Sequence, residues 1–299
     1  MKRTGFIAIV GRPNVGKSTL LNTILGEKVA IVSHKPQTTR NRILGIETRG
    51  EDQYVFIDTP GMFRPRNSLG DYMVKAASSS MKSADALILV VDPGQEMGPM
   101  EKEVLTYAKQ SGVPCALAVN KIDQYDREIL ARCIAAYAGE LSFAAVVPIS
   151  ARSGKHVDEL MDECAQFLSP VEEWFYDEDE MTDQSMRQLA SEIIREKVLR
   201  TLDKEVPHGV AVVIEDFREE PGMVSIRAEI FVEKDTHKRI LIGKNGASLK
   251  LIGTYARQDL EKMLQKKVFL DLWVKVKENW RDSVAQVTNF GYKAKDLED

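Results

Sequence analysis

The segment from Gly11 to Ser18 reads GRPNVGKS and has the residue types and spacing that bind the phosphates of a nucleoside triphosphate. Its two glycines let backbone amides approach phosphate oxygens closely, and the Lys17 ammonium can bridge the β- and γ-phosphates. The Ser18 hydroxyl can ligate Mg²⁺, and a helix opening here points its N-terminal amides at the anion. A glycine-rich turn without a ligand is the alternative, but an apolar run leads into the segment, as a phosphate loop requires. The predicted phosphate-binding residues are Gly11, Asn14, Val15, Gly16, Lys17, Ser18 and Thr19.

A second segment, DTPG, occupies positions 58 to 61 and also follows an apolar run. Asp58 can hold Mg²⁺ through water, and the Gly61 amide can bind the γ-phosphate. Taken alone, these four residues are equally typical of a plain turn at the end of a strand. After a phosphate loop, they predict the metal side of the same nucleotide site.

The segments NKID and SAR indicate which base is bound. The Asp123 carboxylate can accept hydrogen bonds from guanine N1–H and the guanine 2-amino group, whereas adenine offers neither donor. Asn120 can bond the other edge of the base, and the Lys121 stem can cover its face. The Ala151 amide, next to Ser150, can bond guanine O6. Either segment alone is a common surface turn, but four segments in this order predict a guanine nucleotide.

Alternating strands and helices must position these residues. The apolar runs are Phe6–Val10, Tyr54–Ile57, Ala86–Asp92, Cys115–Asn120 and Ala144–Ile149, and the helical patterns are Lys17–Leu25, Leu69–Lys82, Met100–Gln110, Asp126–Ala138 and Val157–Phe167. This alternation predicts an α/β fold with a mostly parallel sheet and helices on both faces. Ile43–Arg49 is predicted to add an antiparallel edge strand. Ligands bind such sheets at the carboxyl ends of the strands, where all four segments lie.

The pattern ends at Ser169-Pro170, so we predict a nucleotide-binding domain over residues 1–170. Residues 171–184 are predicted to be a linker, since positions 171–183 hold seven acidic residues and no basic one. Residues 185–299 are predicted to form an α+β domain with the order helix, two strands, helix, GKNG, helix and strand. Its stretch from His237 to Arg281 holds eleven basic and four acidic residues, which favours a polyanionic partner.

GKNG, at positions 243–246, is not a second phosphate loop, because no strand leads into it and no Ser or Thr follows its lysine. A G-x-x-G turn between two helices clamps the backbone of about four nucleotides in KH domains. From these four residues alone, a plain helix–turn–helix corner is an equal alternative. The predicted RNA-binding residues are Arg239, Ile242, Gly243, Lys244, Asn245, Gly246, Lys250 and Lys275, with Ile240, Leu249 and Ile252 helping to floor a groove for bases.

Five segments of the chain resemble the five G motifs of the Era-like branch of the TrmE-Era-EngA GTPases. They are the phosphate loop, QTTRN (37–41), DTPG, NKID and SAR. ILIGKNGASLK and LWVKVKENWR are similar to the type II KH domain that follows the GTPase domain in that branch. The resemblance covers nearly the whole chain. It implies a GTP-hydrolysing switch with Mg²⁺ that binds the 3′ end of 16S rRNA, near a GAUCA sequence, during assembly of the 30S ribosomal subunit.

The same resemblance implies residue roles. A threonine closes over Mg²⁺ when GTP is bound, and we expect Thr39 rather than Thr38. The metal ligands are then Ser18, Thr39 and Asp58, and the catalytic residues are Lys17, Thr39 and Gly61. Met62 stands where Ras-like GTPases place a water-orienting glutamine, so slow intrinsic hydrolysis is expected. Arg40 can supply charge instead, although a loop arginine is expected to be solvated.

Asn14 suggests a bound K⁺ beside the phosphates, as in related GTPases, with a simple turn cap as the equal alternative. Equal hydrolysis rates in Na⁺ and K⁺ would exclude the cation.

Composition and charge limit which classes of function and which cellular locations remain. The net charge of −4 argues against a general polyanion binder, and three unpaired cysteines indicate a reducing compartment. No run is long enough to span a bilayer. We expect a cytoplasmic monomer, with a peripheral contact to the cell membrane left open. Two alternatives remain, namely a signalling or membrane-linked GTPase whose KH-like domain binds a protein, and an RNA scaffold whose nucleotide only stabilises the fold. Met73 and Met81 are expected in the core, and so are Trp273 and Trp280, with stacking on RNA bases as the alternative for the two tryptophans.

Overall fold

The computed structural model describes residues 1–61, 63–202 and 209–293, so the interpretation of Met62 lies outside the described residues. The elements of the first half are β1 (Arg3–Val10), α1 (Lys17–Leu25), β2 (Ile43–Arg49), β3 (Asp52–Asp58), α2 (Ser68–Ser83), β4 (Ala86–Val91), α3 (Pro99–Ser111), β5 (Cys115–Val119), α4 (Arg127–Ala138), β6 (Ala145–Pro148), α5 (Val157–Cys164) and β7 (Ser169–Pro170). Those of the second half are α6 (Met186–Thr201), β8 (Ala211–Glu220), β9 (Met223–Val232), α7 (Asp235–Ile242), α8 (Ala247–Leu264), β10 (Lys267–Val276) and α9 (Val284–Asn289). The predicted strands and helices are confirmed.

The first sheet has the strand order β2-β3-β1-β4-β5-β6, and β7 pairs with β1. Strands β3, β1, β4, β5 and β6 are parallel, while β2 is antiparallel to β3 at the edge, as predicted. Strands β1, β3, β4 and β5 are largely buried on both faces because helices cover each side, whereas Val146 on the edge strand β6 is 38% exposed. Their carboxyl ends therefore meet along one edge, where the four motif segments emerge.

Alternation along β1 divides the first core into two layers. Ile7 and Ile9 face a cluster built with α1 and α5, whereas Ala8 and Val10 face a cluster built with α2, α3 and α4. These four side chains are completely buried. Both layers fix the direction of β1, and so they fix where the phosphate loop leaves the sheet.

The acidic segment 171–184 lies along the edge of the first sheet. The Val171 amide donates to the Lys2 carbonyl at 2.9 Å, and the Ile46 amide donates to the Met181 carbonyl at 2.9 Å. The second bond satisfies a backbone group on β2 that an uncovered edge strand would leave open, and the first holds the segment beside the start of β1. The segment is thus held against the first unit along much of its length. The predicted boundaries at residues 170 and 184 stay a prediction.

The second unit is a three-stranded sheet with helices on one face. Strand β9 is central, antiparallel to β8 and parallel to β10. Ala228, Ile230 and Val274 face the core that α6, α7 and α8 cover, together with the buried Ile252. The helix–strand order predicted for this half is confirmed, and GKNG connects α7 to α8.

The two tryptophans of this unit have different environments. Trp280 is completely buried and its indole N–H donates to the Gly209 carbonyl at 2.9 Å, which confirms its predicted core position. Trp273 is 58% exposed, so the expectation that it lies in the core is wrong. Along β10, Val274 points into the core, and its neighbour Trp273 therefore points to the open face of the sheet. Met73 and Met81 are buried, as predicted.

In the part of the chain that the structure describes, no helix combines the length and apolar character needed to cross a bilayer. Cys115, Cys133 and Cys164 are free and buried.

Candidate nucleotide site and RNA interface

The phosphate loop takes a backbone path that its glycines alone permit. Gly11 has φ 145°, and a Cβ there would lie 2.4 Å from the Val90 carbonyl oxygen. Gly16 has φ 110°, and a Cβ there would lie 2.1 Å from Asn120 Nδ2. Both positions combine the left-handed region with a close approach, so side chains are excluded for two reasons. The loop consequently turns its amides towards the cleft rather than towards the sheet.

Lys17 is buried at the start of α1. Its ammonium donates to the carbonyls of Gly11 at 3.1 Å and Arg12 at 2.9 Å. Burial lowers the pKa of Lys17 to about 8, against the attraction of Asp58. The ammonium is therefore held inside the loop at the point where phosphate oxygens are expected, and a bound phosphate would restore its usual basicity.

Ser18, Thr39 and Asp58 form one compact oxygen cluster. Ser18 Oγ donates to Asp58 Oδ2 at 2.6 Å and lies 2.8 Å from Thr39 Oγ1. Burial raises the pKa of Asp58 to about 6, while Lys17 and the two hydroxyls favour its ionised form. The Asp58 carboxylate is fully buried, and its Oδ1 has no hydrogen-bond partner among the described residues.

An unsatisfied carboxylate oxygen beside two hydroxyls fits a hard cation that prefers oxygen ligands, and Mg²⁺ has that chemistry. Bound there, Mg²⁺ would neutralise phosphate charge and fix the γ-phosphate. The geometry favours Thr39 over Thr38, because the Thr38 hydroxyl donates instead to the Lys35 carbonyl at 2.7 Å and lies 2.6 Å from Ser33 Oγ.

A cleft of about 660 Å³ opens beside this cluster, which is within the range of ligand sites. The predicted residues that line it are Asn14, Gly16, Lys17, Ser18, Thr19, Thr39, Gly61, Asn120, Lys121 and Asp123. Gly61 reaches the cleft because its Cα lies against the phosphate loop, where a Cβ would be 2.6 Å from Pro13 N. The other predicted nucleotide-binding residues do not line the cleft, and these are Gly11, Val15, Asp58, Ser150 and Ala151.

Asn120 joins the phosphate loop to the base side of the cleft. Its Nδ2 donates to the Val15 carbonyl at 2.7 Å, and its Oδ1 accepts from the Ala151 amide at 2.9 Å. The Ala151 amide was predicted to bond guanine O6, but here it serves Asn120. A buried amide needs a partner, and Asn120 Oδ1 accepts this bond. Asn120 keeps a second N–H for the base edge.

Asp123 and Lys121 present the remaining base contacts. Asp123 is exposed in the cleft, and the Ser150 hydroxyl lowers its pKa by hydrogen bonding, so the carboxylate is an acceptor at neutral pH. The Lys121 ammonium pairs with Asp92 Oδ2 at 2.7 Å, which stretches its stem beside the base position. Sequence reasoning missed the role of Asp92. A charged residue ending an otherwise apolar run was the available signal.

GKNG forms the tight turn expected of a backbone clamp. Gly243 has φ 73° and a Cβ there would lie 2.8 Å from Ser248 Cβ, while Gly246 has φ 77°. Lys244 and Asn245 project from this turn into solvent, close to the N-terminus of α8. The turn therefore offers exposed donors and amides to a phosphate backbone.

Three of the other predicted RNA-binding residues lie beside this turn, and the fourth lies on the sheet. Arg239 and Lys250 are exposed on the two helices that flank the turn, and Ile242 is half-buried beside it. Lys275 is on the open face of the sheet, where its ammonium pairs with Glu229, so it lies on the face opposite the helices that flank GKNG, and its role in RNA binding stays a prediction. The neighbouring Val274 faces the helices, and alternation turns Lys275 away from them.

The predicted groove floor also needs one correction. Ile252 is completely buried in the core of the second unit and cannot contact a base. Ile240 is 52% exposed, and Leu249 is half-buried. The apolar surface near the turn is therefore built from Ile240, Ile242 and Leu249. A helical pattern alone does not separate Ile252 from Leu249, since the two lie three residues apart on neighbouring parts of α8.

Arg40 departs from expectation. It was expected to be solvated, yet it is 2% exposed and donates to the Val210 carbonyl at 2.7 Å and the Tyr292 hydroxyl at 3.1 Å. Burial lowers the pKa of Arg40. Its guanidinium also lies 5.8 Å from the centroid of the Trp280 ring. Arg40 therefore ties the loop that carries Thr39 to the second unit, and it does not point at the phosphates.

Known proteins share this arrangement. Residues 6–121 match a family model described as 50S ribosome-binding GTPase, and residues 205–281 match the KH domain model. The chain is 48% identical to GTPase Era of Clostridium kluyveri over 98% of this chain and 100% of the relative. It is also 48% identical to GTPase Era of Clostridioides difficile, over 99% and 100%.

Two solved structures superpose on nearly the whole molecule, each with 40% identity and a TM-score of 0.93. One is a variant of Aquifex aeolicus Era bound to GDP.AlF4-, matched over 97% of this chain and 99% of the other. The other is Era in complex with MgGDPNP and nucleotides 1506–1542 of 16S ribosomal RNA, matched over 98% and 99%. With its own guanine-nucleotide site and KH domain, the chain belongs to the Era family of GTPases.

Proposed function

We propose that this chain is a GTP-controlled switch that binds the 3′ end of 16S rRNA through its KH domain and acts in assembly of the 30S ribosomal subunit. Hydrolysis of GTP would reset the switch. The relative with 16S rRNA nucleotides and MgGDPNP supports this proposal, since it holds both ligands at once. The residues assigned to the nucleotide and to RNA are those of the two surfaces described above.

One observation carries the proposal, namely that the loop bearing Thr39 also contacts the first helix of the KH unit. The Val32 amide donates to Glu196 Oε1 at 3.0 Å, and Arg200 Nη2 donates to the Val32 carbonyl at 2.9 Å. A γ-phosphate with Mg²⁺ would order Thr39, and the same loop would carry the change to α6. A switch needs such a shared element.

The test is RNA binding measured by fluorescence anisotropy. The probe is a short oligonucleotide ending in the small-subunit rRNA 3′ sequence with GAUCA, and a scrambled oligonucleotide is the control. Each is measured with GDP and with a non-hydrolysable GTP analogue. We expect tighter binding of the specific RNA in the GTP-analogue state. No sequence preference in either state would contradict the proposal.

A matched pair of variants assigns the binding to the clamp. Replacing Gly243 and Gly246 together by Asp places two carboxylates against the phosphate backbone, and about a 100-fold loss of affinity is expected from like-charge repulsion and a blocked approach. Gly222→Asp, in the turn between β8 and β9, is the control, because Gly222 has φ 80° and an added Cβ would meet nothing within 4 Å, so the change imposes similar backbone strain outside the GKNG turn. RNA binding that survives the double change would exclude the GKNG surface.

A second candidate function is a signalling or membrane-linked GTPase whose KH-like domain binds a protein. Phe269 and Trp273 favour it, since they are 59% and 58% exposed on one face of β10. Exposed aromatic residues are common anchors of protein interfaces. Loss of a partner with Trp273→Ala, at unchanged RNA affinity, would support this alternative.

The proposal includes a K⁺ ion beside the phosphates at Asn14. That residue has φ 65°, and its Nδ2 donates to the His34 carbonyl at 2.9 Å, which brings the phosphate loop and the Thr39 loop together. Hydrolysis faster in K⁺ than in Na⁺ is the expected result, and equal rates would leave Asn14 as a turn cap.

The proposal further places the protein in the cytoplasm as a monomer, with a peripheral contact to the inner face of the cell membrane. Sedimentation of the full chain without vesicles tests the monomeric state, and sedimentation with vesicles tests the membrane contact.

A further inference from the structure

Arg195 is the largest charged side chain that is fully buried between the two units. It is 1% exposed and extends from α6 towards the loop that carries Thr39. Its Nε donates to Glu192 Oε1 at 2.8 Å and its Nη2 to Glu192 Oε2 at 2.5 Å. Nη2 also donates to the Thr38 carbonyl oxygen. The guanidinium therefore joins the KH unit to the peptide group that precedes Thr39.

That contact constrains Thr39 directly. The Thr38 carbonyl and the Thr39 amide belong to one planar peptide group, so fixing the oxygen sets the direction in which the chain enters Thr39. The Thr38 side chain is fixed as well, because its hydroxyl donates to the Lys35 carbonyl at 2.7 Å. Thr39 Oγ1 is then left 2.8 Å from Ser18 Oγ, within the oxygen cluster.

Stability alone does not explain an arginine at this position. Burial opposes its charge, and Glu192 outweighs burial to raise the pKa of Arg195 above its ordinary value. Arg195 Nη1 is buried without a hydrogen-bond partner among the described residues. An unsatisfied buried donor destabilises the folded state, and apolar residues of similar volume often replace buried ion pairs without loss of stability. The feature that an apolar residue cannot supply is the donor to Thr38.

The start of the same loop is held independently by the next residue of α6. Glu196 is fully buried, accepts from the Val32 amide at 3.0 Å and pairs with Lys28 at 2.5 Å. These contacts fix the loop before it reaches Thr38. Only Arg195, among the α6 residues described, bonds to the peptide group next to Thr39, so its contribution can be separated from general docking of the loop.

We propose that Arg195 is a positioning residue for GTP hydrolysis, which acts from the KH unit by holding the Thr38–Thr39 peptide so that the Thr39 hydroxyl can ligate Mg²⁺ in the GTP state. The inference rests on the proposed role of Thr39. If Arg195 has this role, the nucleotide site is complete only when α6 is packed against the loop that carries Thr39. Binding of GTP and docking of the KH unit then strengthen each other equally.

The test compares binding of two fluorescent nucleotides, methylanthraniloyl GDPNP and methylanthraniloyl GDP, by the full chain during a Mg²⁺ titration. For Arg195→Met we expect the Mg²⁺ concentration for half-maximal GDPNP binding to rise about 10-fold, as when a residue supporting a metal ligand is removed. Binding of GDP is expected to stay within 2-fold, on the order of the scatter between neutral variants. General loss of structure would weaken both nucleotides. Arg187→Met is the matched control, since Arg187 is exposed on the same helix and donates only within its own unit, to Ile214.

Two further variants make each outcome decisive. Thr39→Ala should raise the Mg²⁺ requirement at least as much as Arg195→Met. If Thr39→Ala has no effect, the proposed role of Thr39 fails and the inference fails with it. If Thr39→Ala raises the requirement and Arg195→Met does not, the inference alone is overturned.

The double variant Glu192→Leu with Arg195→Met removes the ion pair as a unit and protects against poor folding of the single variant. A raised Mg²⁺ requirement that persists in this variant, at wild-type thermal stability, supports positioning by Arg195. A return to the wild-type requirement would show that the ion pair only stabilises the interface, and it would overturn the inference.

Discussion

Replacing Asp58 by Asn is expected to stabilise the nucleotide-free protein while removing its response to Mg²⁺. Asp58 is completely buried, and burial raises its pKa from 3.8 to about 6. An unfolded chain has no such cost, so ionised Asp58 opposes folding. The shift already includes the attraction of Lys17, and at about 1.4 kcal/mol per pKa unit it corresponds to about 3 kcal/mol at pH 7. Asn has nearly the same shape and no charge, and it avoids this cost.

The pH dependence of this effect on stability follows from the different numbers of protons that the folded and unfolded states bind. Between pH 4 and 6 the unfolded carboxyl is ionised while the folded one keeps its proton, so the folded state binds more protons and stability falls as pH rises. Below pH 4 both states are protonated, and the cost disappears. The gain from Asp58→Asn should therefore be about 0.5 kcal/mol at pH 4 and about 3 kcal/mol at pH 7.

The assay is denaturant unfolding without nucleotide or Mg²⁺ at the two pH values. Asp52→Asn, a change of the same kind on the same strand, is the control. It breaks the 2.5 Å pair with Arg3 and should destabilise by up to about 1 kcal/mol. With GTP and Mg²⁺ present, the order should reverse, because the ligands stabilise only the chain that binds them. Equal gains at pH 4 and pH 7, or destabilisation at pH 7, would refute the reasoning.

Three further changes have definite expected outcomes. Gly16→Ala places a Cβ 2.1 Å from Asn120 Nδ2 and should abolish GTP binding measured by equilibrium dialysis. Trp280→Ala removes a buried ring and its bond to Gly209, and should lower the free energy of unfolding by about 3–5 kcal/mol in a denaturant titration. Asp123→Asn replaces an acceptor by a donor, so GTP affinity should fall about 100-fold, the loss of a good bidentate pair, while xanthosine triphosphate binding improves in a competition assay.

Two of these changes have a control variant within the chain. Gly139 has a right-handed backbone and only ordinary contacts, so Gly139→Ala should leave nucleotide binding intact. Trp273 is exposed, so Trp273→Ala should change stability by less than about 0.5 kcal/mol. For Asp123→Asn, unchanged preference for GTP over xanthosine triphosphate would show that Asp123 does not read the base.

The order and type of the elements followed from local pattern. Apolar runs such as Ala86–Val91 and the helical segments between them predicted a parallel sheet, since only covered faces accept strands that are apolar on both sides. The phosphate loop, DTPG and NKID predicted a guanine-nucleotide site, because their residue types are dictated by the ligand's own groups. Local chemistry of this kind is visible in a short window of sequence.

Contacts between distant segments were not visible in any such window. Thr39 and Arg40 are neighbours in a polar loop, yet Thr39 joins the oxygen cluster while Arg40 is buried against Val210 and Tyr292. The partners of Arg40 lie 170 and 252 residues away, so no local pattern announces its burial. The face of the sheet on which Lys275 lies could not be predicted for a related reason, since alternation along β10 does not show which face the helices cover.

Periodicity and the fixed chemistry of the ligands were enough to predict the two units, their folds, the guanine nucleotide and the GKNG turn. Tertiary packing alone shows that α6 contacts the loop around Thr39 through Arg195 and Glu196, and that Asp58 Oδ1 has no hydrogen-bond partner among the described residues. Burial and pairing of charges depend on groups brought together by packing, and packing is a property of the whole chain.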